Sequence, residues 1–370
     1  MTDIPRRALL AGAAAALPFA SAFGAEEPKA PGLNAHAKLK GMFYGAAVSG
    51  DALANDAALI EHVFAESGMV VSENAFKWSD IHPEAEKYDF SGADALMKWA
   101  GAHRIPVRGH TLVWHEANPA WLEPALSKTT AEKILRDHIK TVVGRYAGKL
   151  VHWDVVNEVI HEEDHKPLAL RDTPWFRALG PAYIDIAFNA TAAADPNALR
   201  VINEFGVDYG IDWQMRKRDQ LLALCADLLH RKVPVQAVGL QAHLDAGEIA
   251  IDQKGLARFV ADIASLGLKI IVTEFDVRDQ SLPASVAARD TAIAAHGRAW
   301  LDAVLPNPAV LGVLSWGLSD RASWLNTKFP RPDGLSQRPL PLDAELNRKK
   351  LWSAMAASFD TVPPHGPQKS

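Results

Sequence analysis

Leu150-Val151-His152-Trp153-Asp154-Val155-Val156-Asn157-Glu158 is the stretch whose reading decides the fold. Val151, Trp153, Val155 and Val156 make most of it apolar, broken by His152 and Asp154, and it ends on the polar pair Asn157-Glu158. A strand with one wet face alternates apolar and polar side chains; a continuous apolar run belongs to a strand covered on both faces, as in parallel sheets. Seven further segments follow the same rule: residues 42–48, 69–75, 106–114, 199–205, 237–244, 269–277 and 310–318. Helix-patterned segments separate them, for example 130–146 and 213–230. Eight strands alternating with helices predict an α/β protein built as a single (β/α)8 TIM barrel. An open doubly wound sheet is the alternative, but it calls for a glycine-rich phosphate turn after the first strand, and Tyr44-Gly45-Ala46-Ala47-Val48 is not one.

The rest of the chain is consistent with one large soluble domain. Of 370 residues, 48% are hydrophobic and 22% charged, enough to bury a core without disulfides or metals. The net charge of -5 is spread rather than blocked, which argues against nucleic acid or an anionic membrane as partner and fits a neutral ligand. Eleven tryptophans suit either a core or a surface that receives flat sugar rings. The single Cys225 lies in a helix-like pattern and reads as buried filler.

At the N-terminus Arg6-Arg7 precede a small-residue apolar run from Ala8 to Ala20, and Ala20-Ser21-Ala22 offers a cleavage site. Residues 1–25 therefore read as an export signal, twin-arginine-like or Sec, which implies a periplasmic or secreted protein with no membrane segment in its mature form. Residues 26–38 read as a flexible lead, 39–360 as the catalytic barrel and 361–370 as a loose Pro-rich tail.

The predicted strands turn polar at their C-terminal ends. The second gives Ser72-Glu73-Asn74, the third His110 to His115 and the fourth Asn157-Glu158. The sixth gives Gln241 and His243, the seventh Glu274 and Asp276, and the eighth Trp316. In a parallel barrel these ends share one rim, where barrel active sites lie. Glu158 and Glu274 stand out there, since a carboxylate ending an apolar strand is costly unless solvated, paired or used. Glycosidic bond cleavage uses two carboxyl groups, one protonated and one ionised. Membership in a structural ion pair is the other reading of each glutamate.

Trp153-Asp154-Val155-Val156-Asn157-Glu158 and Val272-Thr273-Glu274-Phe275-Asp276 resemble the acid/base and nucleophile motifs of family 10 xylanases. Three more motifs match in order: Ser72-Glu73-Asn74-Ala75-Phe76-Lys77-Trp78, Arg108-Gly109-His110-Thr111-Leu112-Val113-Trp114-His115, and Gly239-Leu240-Gln241-Ala242-His243. Trp316 and Trp324 have the family's spacing, and the resemblance spans roughly residues 40 to 355. It implies a retaining endo-β-1,4-xylanase with Glu158 as acid/base and Glu274 as nucleophile, no cofactor and no metal. It also implies xylan or xylo-oligosaccharides as substrate; a monomer is the expected working form. Asn157, His243 and Asp276 would support the pair, with His243 orienting Glu274 and Asp276 fixing the histidine. Glu73, Asn74, Lys77, His110 and Gln241 would contact sugar hydroxyls, and Trp114, Trp316 and Trp324 would wall the proximal sugar.

Plainer readings stand beside these. Lys77 can be a counter-ion to Glu73, Asp80 or Glu84, and His110 and His243 can be core histidines. Trp78, Trp99 and Trp153 read as packing. His161-Glu162-Glu163-Asp164-His165 matches no common metal-ligand spacing and reads as a solvated loop. The family pattern Asn-Asp-Tyr-Asn is here Asn203-Glu204-Phe205-Gly206, which puts the usual leaving-group-side sugar contacts in doubt; residues 326–338 also lack a full match. Competing functions are a β-1,4-glucan or aryl-cellobioside hydrolase using the same glutamates, a non-catalytic saccharide-binding barrel, and a metal-dependent barrel hydrolase.

Overall fold

The computed structural model describes residues 31–366 apart from Glu248. The export signal expected at 1–25 lies outside the described residues, as do the first residues of the expected lead and the last four of the tail. Eight parallel strands close on themselves: β1 Phe43–Val48, β2 Met69–Ser72, β3 Val107–Gly109, β4 Leu150–Asn157, β5 Leu199–Glu204, β6 Ala237–Leu240, β7 Lys269–Arg278 and β8 Val310–Ser315. Closure is explicit in the register, where Gly45 of β1 lies opposite Met69 on one side and Leu314 on the other. On the far side, Ala237 of β6 faces Lys269 of β7. The architecture is the (β/α)8 TIM barrel.

Continuous apolar strands supply two cores at once. Inward-facing Ala47, Met69, Val71, Val201, Ala237, Ile271 and Leu314 fill the barrel, and Trp316 closes that stack at the rim. The opposite faces pack against the surrounding helices, with Tyr44, Val70, Trp153, Ile202, Val238 and Phe275 fully buried. Trp78 and Trp153 are core residues, and Trp99 is partly buried against the same core.

Two strands end earlier than their apolar runs. Past Gly109 the chain still follows β4, with Leu112 N donating to the Asp154 carbonyl and Asn157 N to that of Val113, but the ladder is broken. β6 stops at Leu240 and pairing resumes at His243–Asp245, because Ala242 between them adopts a left-handed φ of 60°. Hydropathy does not distinguish such breaks from strand, since the residues stay buried.

Both expected loose ends need correction. Residues 33–38 are not a flexible lead: Leu33–Leu39 is a helix that buries Leu33 and Ala37. The chain after the last helix, Lys350–Thr361, is not loose as far as Gly366 either, since Val362 and His365 are buried. The His365 ring reaches the carbonyls of Val310 and Leu305 at 3.0 Å each, and His365 N donates to the Lys40 carbonyl at 2.8 Å. Met42 N, just before β1, bonds back to Ala37 O. The two ends thus meet beneath the starts of β1 and β8, on the face opposite the rim.

Gly109 shows how tight the strand–helix core is. It lies opposite Trp153 in the β3–β4 ladder, and a Cβ there would fall within the indole ring's own contact radius. The ring has nowhere to go, being fully buried and edge-on to Phe76 at 5.4 Å. Gly109→Ala is expected to lower the unfolding free energy by about 1–3 kcal/mol, read as a fall in the urea midpoint; an unchanged midpoint would contradict this packing.

Candidate active site

The C-terminal strand ends surround a cleft of about 760 Å³, far more than one sugar ring needs. All thirteen residues singled out in the sequence line it. Glu73, Asn74 and Lys77 follow β2, His110 and Trp114 follow β3, Asn157 ends β4 and Glu158 follows it. Gln241 and His243 follow β6, Glu274 and Asp276 lie in β7, and Trp316 and Trp324 follow β8.

Adjacent residues of a strand face opposite ways, yet Asn157 and Glu158 both reach the cleft. A left-handed φ of 58° at Glu158 turns its side chain inward. Such a conformation is unfavourable for a non-glycine residue unless its surroundings fix it. Here Glu158 N donates to the Asn203 carbonyl at 2.9 Å, and its own carbonyl accepts from Arg171 Nε at 2.8 Å. The carboxyl group accepts from Trp114 Nε1 at 2.8 Å, Gln241 Nε2 at 3.0 Å and Asn157 Nδ2 at 3.2 Å. Burial pushes it up to about 7, and the nearby Glu204 and Glu274 carboxylates add to that, against the hydrogen bonds from Gln241 and Trp114.

Glu274 receives the opposite treatment. Asn203 Nδ2 donates to its Oε1 at 2.7 Å, and His243 Nε2 lies 3.2 Å from its Oε2. The other ring nitrogen of His243 lies 2.9 Å from Asp276 Oδ1, and Asp276 Oδ2 accepts from Trp324 Nε1 at 2.8 Å. Two ionised carboxylates offer only acceptors, so both imidazole nitrogens carry protons. Burial alone would discharge the ring, but the Asp276 and Glu274 charges hold its pKa well above the usual histidine value. Burial would likewise raise Glu274, yet the His243 hydrogen bond and positive charge outweigh it and keep the carboxyl below its ordinary value.

On the β2–β3 side Glu73 is pushed up to about 7 by burial, with Lys77 opposing. Lys77 Nζ donates to Asn74 Oδ1 at 3.0 Å and sits 4.9 Å from the Trp114 ring centroid, so it is more than a counter-ion. His110 Nδ1 meets Asp154 Oδ2 at 2.8 Å while Arg108 takes the other Asp154 oxygen. Burial drives His110 down to about 3, so the ring is neutral, donates from Nδ1 and keeps Nε2 as an acceptor. Trp316 lies under the cleft, edge-on to His110 at 5.2 Å. The loop 161–165 keeps its charges local: Asp164 lies 3.0 Å from His161 and Glu162 pairs with Arg216 at 2.8 Å.

Sequence reasoning missed Asn203, the residue that joins the two halves. Its Nδ2 reaches Asn157 Oδ1 at 2.8 Å as well as Glu274, and its Oδ1 accepts from Thr273 Oγ1 at 2.7 Å. The signal was present, for β5 also turns polar at its end. Phe205, at the departure from the family pattern, lines the cleft, and so do Leu244, Arg278 and Phe329, which were not anticipated because nothing in their sequence neighbourhoods marks them.

The glycosyl hydrolase family 10 model matches residues 32–358. The chain belongs to that family. It is 34% identical over 297 residues to endo-1,4-beta-xylanase B of Paenibacillus barcinonensis, covering 76% of this chain and 86% of that protein. It is 35% identical over 263 residues to endo-1,4-beta-xylanase B of Thermotoga neapolitana, covering 70% and 72%. Among solved structures, xylanase 10B from Thermotoga petrophila in complex with xylobiose superposes with a TM-score of 0.81 at 30% identity, over 90% of this chain and 98% of that one. This family 10 glycoside hydrolase departs from the expected pattern after β5, and the structure shows how. Glu204 faces away from the cleft, accepting from the backbone N–H groups of Ile160 and Phe205 at 3.1 Å each and pairing with Lys217 at 2.8 Å. Phe205 presents a ring without a hydroxyl to the cleft, and the Lys217 ammonium lies 3.8 Å from its centroid.

Trp114→Phe removes a donor that favours the ionised form of Glu158, so its carboxyl pKa is expected to rise from about 7. A carbon-13 NMR titration of the glutamate carboxyl groups reads this directly; a fall would contradict the assigned environment.

Proposed function

We propose that this family 10 hydrolase is a retaining endo-β-1,4-xylanase in which Glu158 is the acid/base and Glu274 the nucleophile. The observation that carries the reading is the division of environments between two carboxyl groups on one rim. One is buried and raised toward 7, the other held ionised by an imidazolium. In the first step a Glu274 oxygen bonds to the anomeric carbon as the glycosidic C–O bond breaks, and the Glu158 proton passes to the leaving oxygen. In the second, water attacks that carbon, Glu158 takes its proton and Glu274 leaves as carboxylate. Glycosylation removes the Glu274 charge, which had been raising Glu158, so the acid becomes a better base when the second step needs one. Asn157, held by Asn203 and facing the cleft, is placed to bond a sugar 2-hydroxyl. The proximal sugar would rest among Trp114, Trp316 and Trp324, while Glu73, Asn74, Lys77, His110 and Gln241 would hold hydroxyls. Xylan as substrate is supported by the xylanase relatives and by the xylobiose complex among the structural neighbours.

Glu274→Ala and Glu158→Ala are each expected to cut xylan hydrolysis about a thousandfold or more without unfolding the protein. Glu158 must be protonated and Glu274 ionised in the first step. Activity should therefore fall as pH rises past about 7, and on the acid side only below the ordinary carboxylate range. Either alanine variant hydrolysing xylan at the parent rate would sink the assignment. Faster hydrolysis of carboxymethyl-cellulose than of xylan would move the substrate to β-1,4-glucan.

We also propose that the protein is exported and acts as a monomer on this neutral polymer. Arg6-Arg7 with the apolar run behind them support the first, and a cleft completed within one chain the second. Replacing both arginines by lysine should leave a twin-arginine precursor in the cytoplasm, seen by cell fractionation; unchanged export would assign the signal to the Sec route.

A further inference from the structure

Where the family pattern fails, after β5, the chain carries a second unusual feature. Trp213, in the first turn of the helix Asp212–His230, is 46% exposed. Its ring lies against Gly206, where a Cβ would come within 2.7 Å of the indole. Gly206 also has a left-handed φ of 67°, so glycine is required there by conformation and by space together. Gly206 directly follows Phe205, whose ring lines the cleft. The indole thus packs on the residue next to cleft-lining Phe205 and keeps nearly half its surface open to solvent.

This surface is tied down by a set of side-chain bonds. Gln214 Oε1 accepts from Asp208 N at 2.7 Å and Tyr209 N at 2.8 Å, lacing the loop to the helix start. Arg218 Nε donates to the Val207 carbonyl at 2.8 Å. Lys217 fixes Phe205 through its ammonium's contact with the ring and its bond to Glu204. Arg216 ties the same turn to Glu162 on the loop after β4. A large aromatic kept half exposed on a laced loop suits a flat partner with an apolar face, and a pyranose ring presents its C–H bonds on one face.

We propose that Trp213, seated on Gly206 beside Phe205, is a stacking platform for a sugar beyond the first leaving-group position. It would stand in place of hydroxyl and amide contacts that the Glu204-Phe205-Gly206 sequence cannot make. The occupant is the leaving-group portion of the same β-1,4-linked chain, because the indole rests on the residue that follows Phe205 of the cleft wall. This inference rests on the xylanase reading above.

The test compares xylohexaose with an aryl β-xylobioside, whose aryl group reaches only the first leaving-group position. Trp213→Ala should lower kcat/KM on xylohexaose about tenfold but change it less than twofold on the aryl xylobioside, and Trp213→Phe should restore most of the loss. Equal losses on both substrates, or none on either, would overturn the platform while the wild-type activity stands. Wild-type protein inactive on both would overturn the xylanase reading and the platform with it.

Discussion

Two carboxyl groups buried in one cleft repel each other when both are ionised, and the free energy of that state is too high for either to stay charged unaided. Most of the polar architecture at the rim answers this constraint. His243 is charged because Asp276 stands behind it, and Asp276 is held in turn by the Trp324 indole. That triad places a positive charge on Glu274 and leaves Glu158 to be protonated by default. Asn203 spans the divide, donating to Glu274 and to the Asn157 oxygen. The barrel's part is to deliver these residues from five different strand ends into one small volume.

The strand pattern was legible because burial on both faces leaves a continuous apolar signature, which hydropathy reads well. Its ends were less so. Beyond Gly109 and Leu240 the residues remain buried although the ladder has broken, so the apolar run overstates the strand. At the termini the opposite error arose: Ala-rich and Pro-rich composition suggested loose chain, whereas Leu33, Val362 and His365 are buried against the barrel. Composition reports flexibility only on average, and a few well-placed contacts reverse it.

In the cleft, residues bearing charge at strand ends were visible, and those acting through neutral amides or plain rings were not. Asn203 looked like one element of an imperfect motif, and its three hydrogen bonds depend on partners 46 to 71 positions away. Glu204 and Lys217 form their buried pair across the β5 loop, so neither residue alone indicated that the loop's charge is turned inward. The roles of such groups are properties of closure, which the linear sequence encodes only through all eight strands together.

The stapling of residues 37–42 to His365 beneath β1 and β8 has a practical meaning for the molecule as a component. Ala37, Lys40 and His365 gather on the face away from the cleft, so contacts made there would leave the mouth uncrowded. A partner surface or a solid support bound there would leave the cleft facing outward. The barrel's polarity, chemistry at one rim and a stapled segment pair at the other, gives the protein an orientation it can be mounted by.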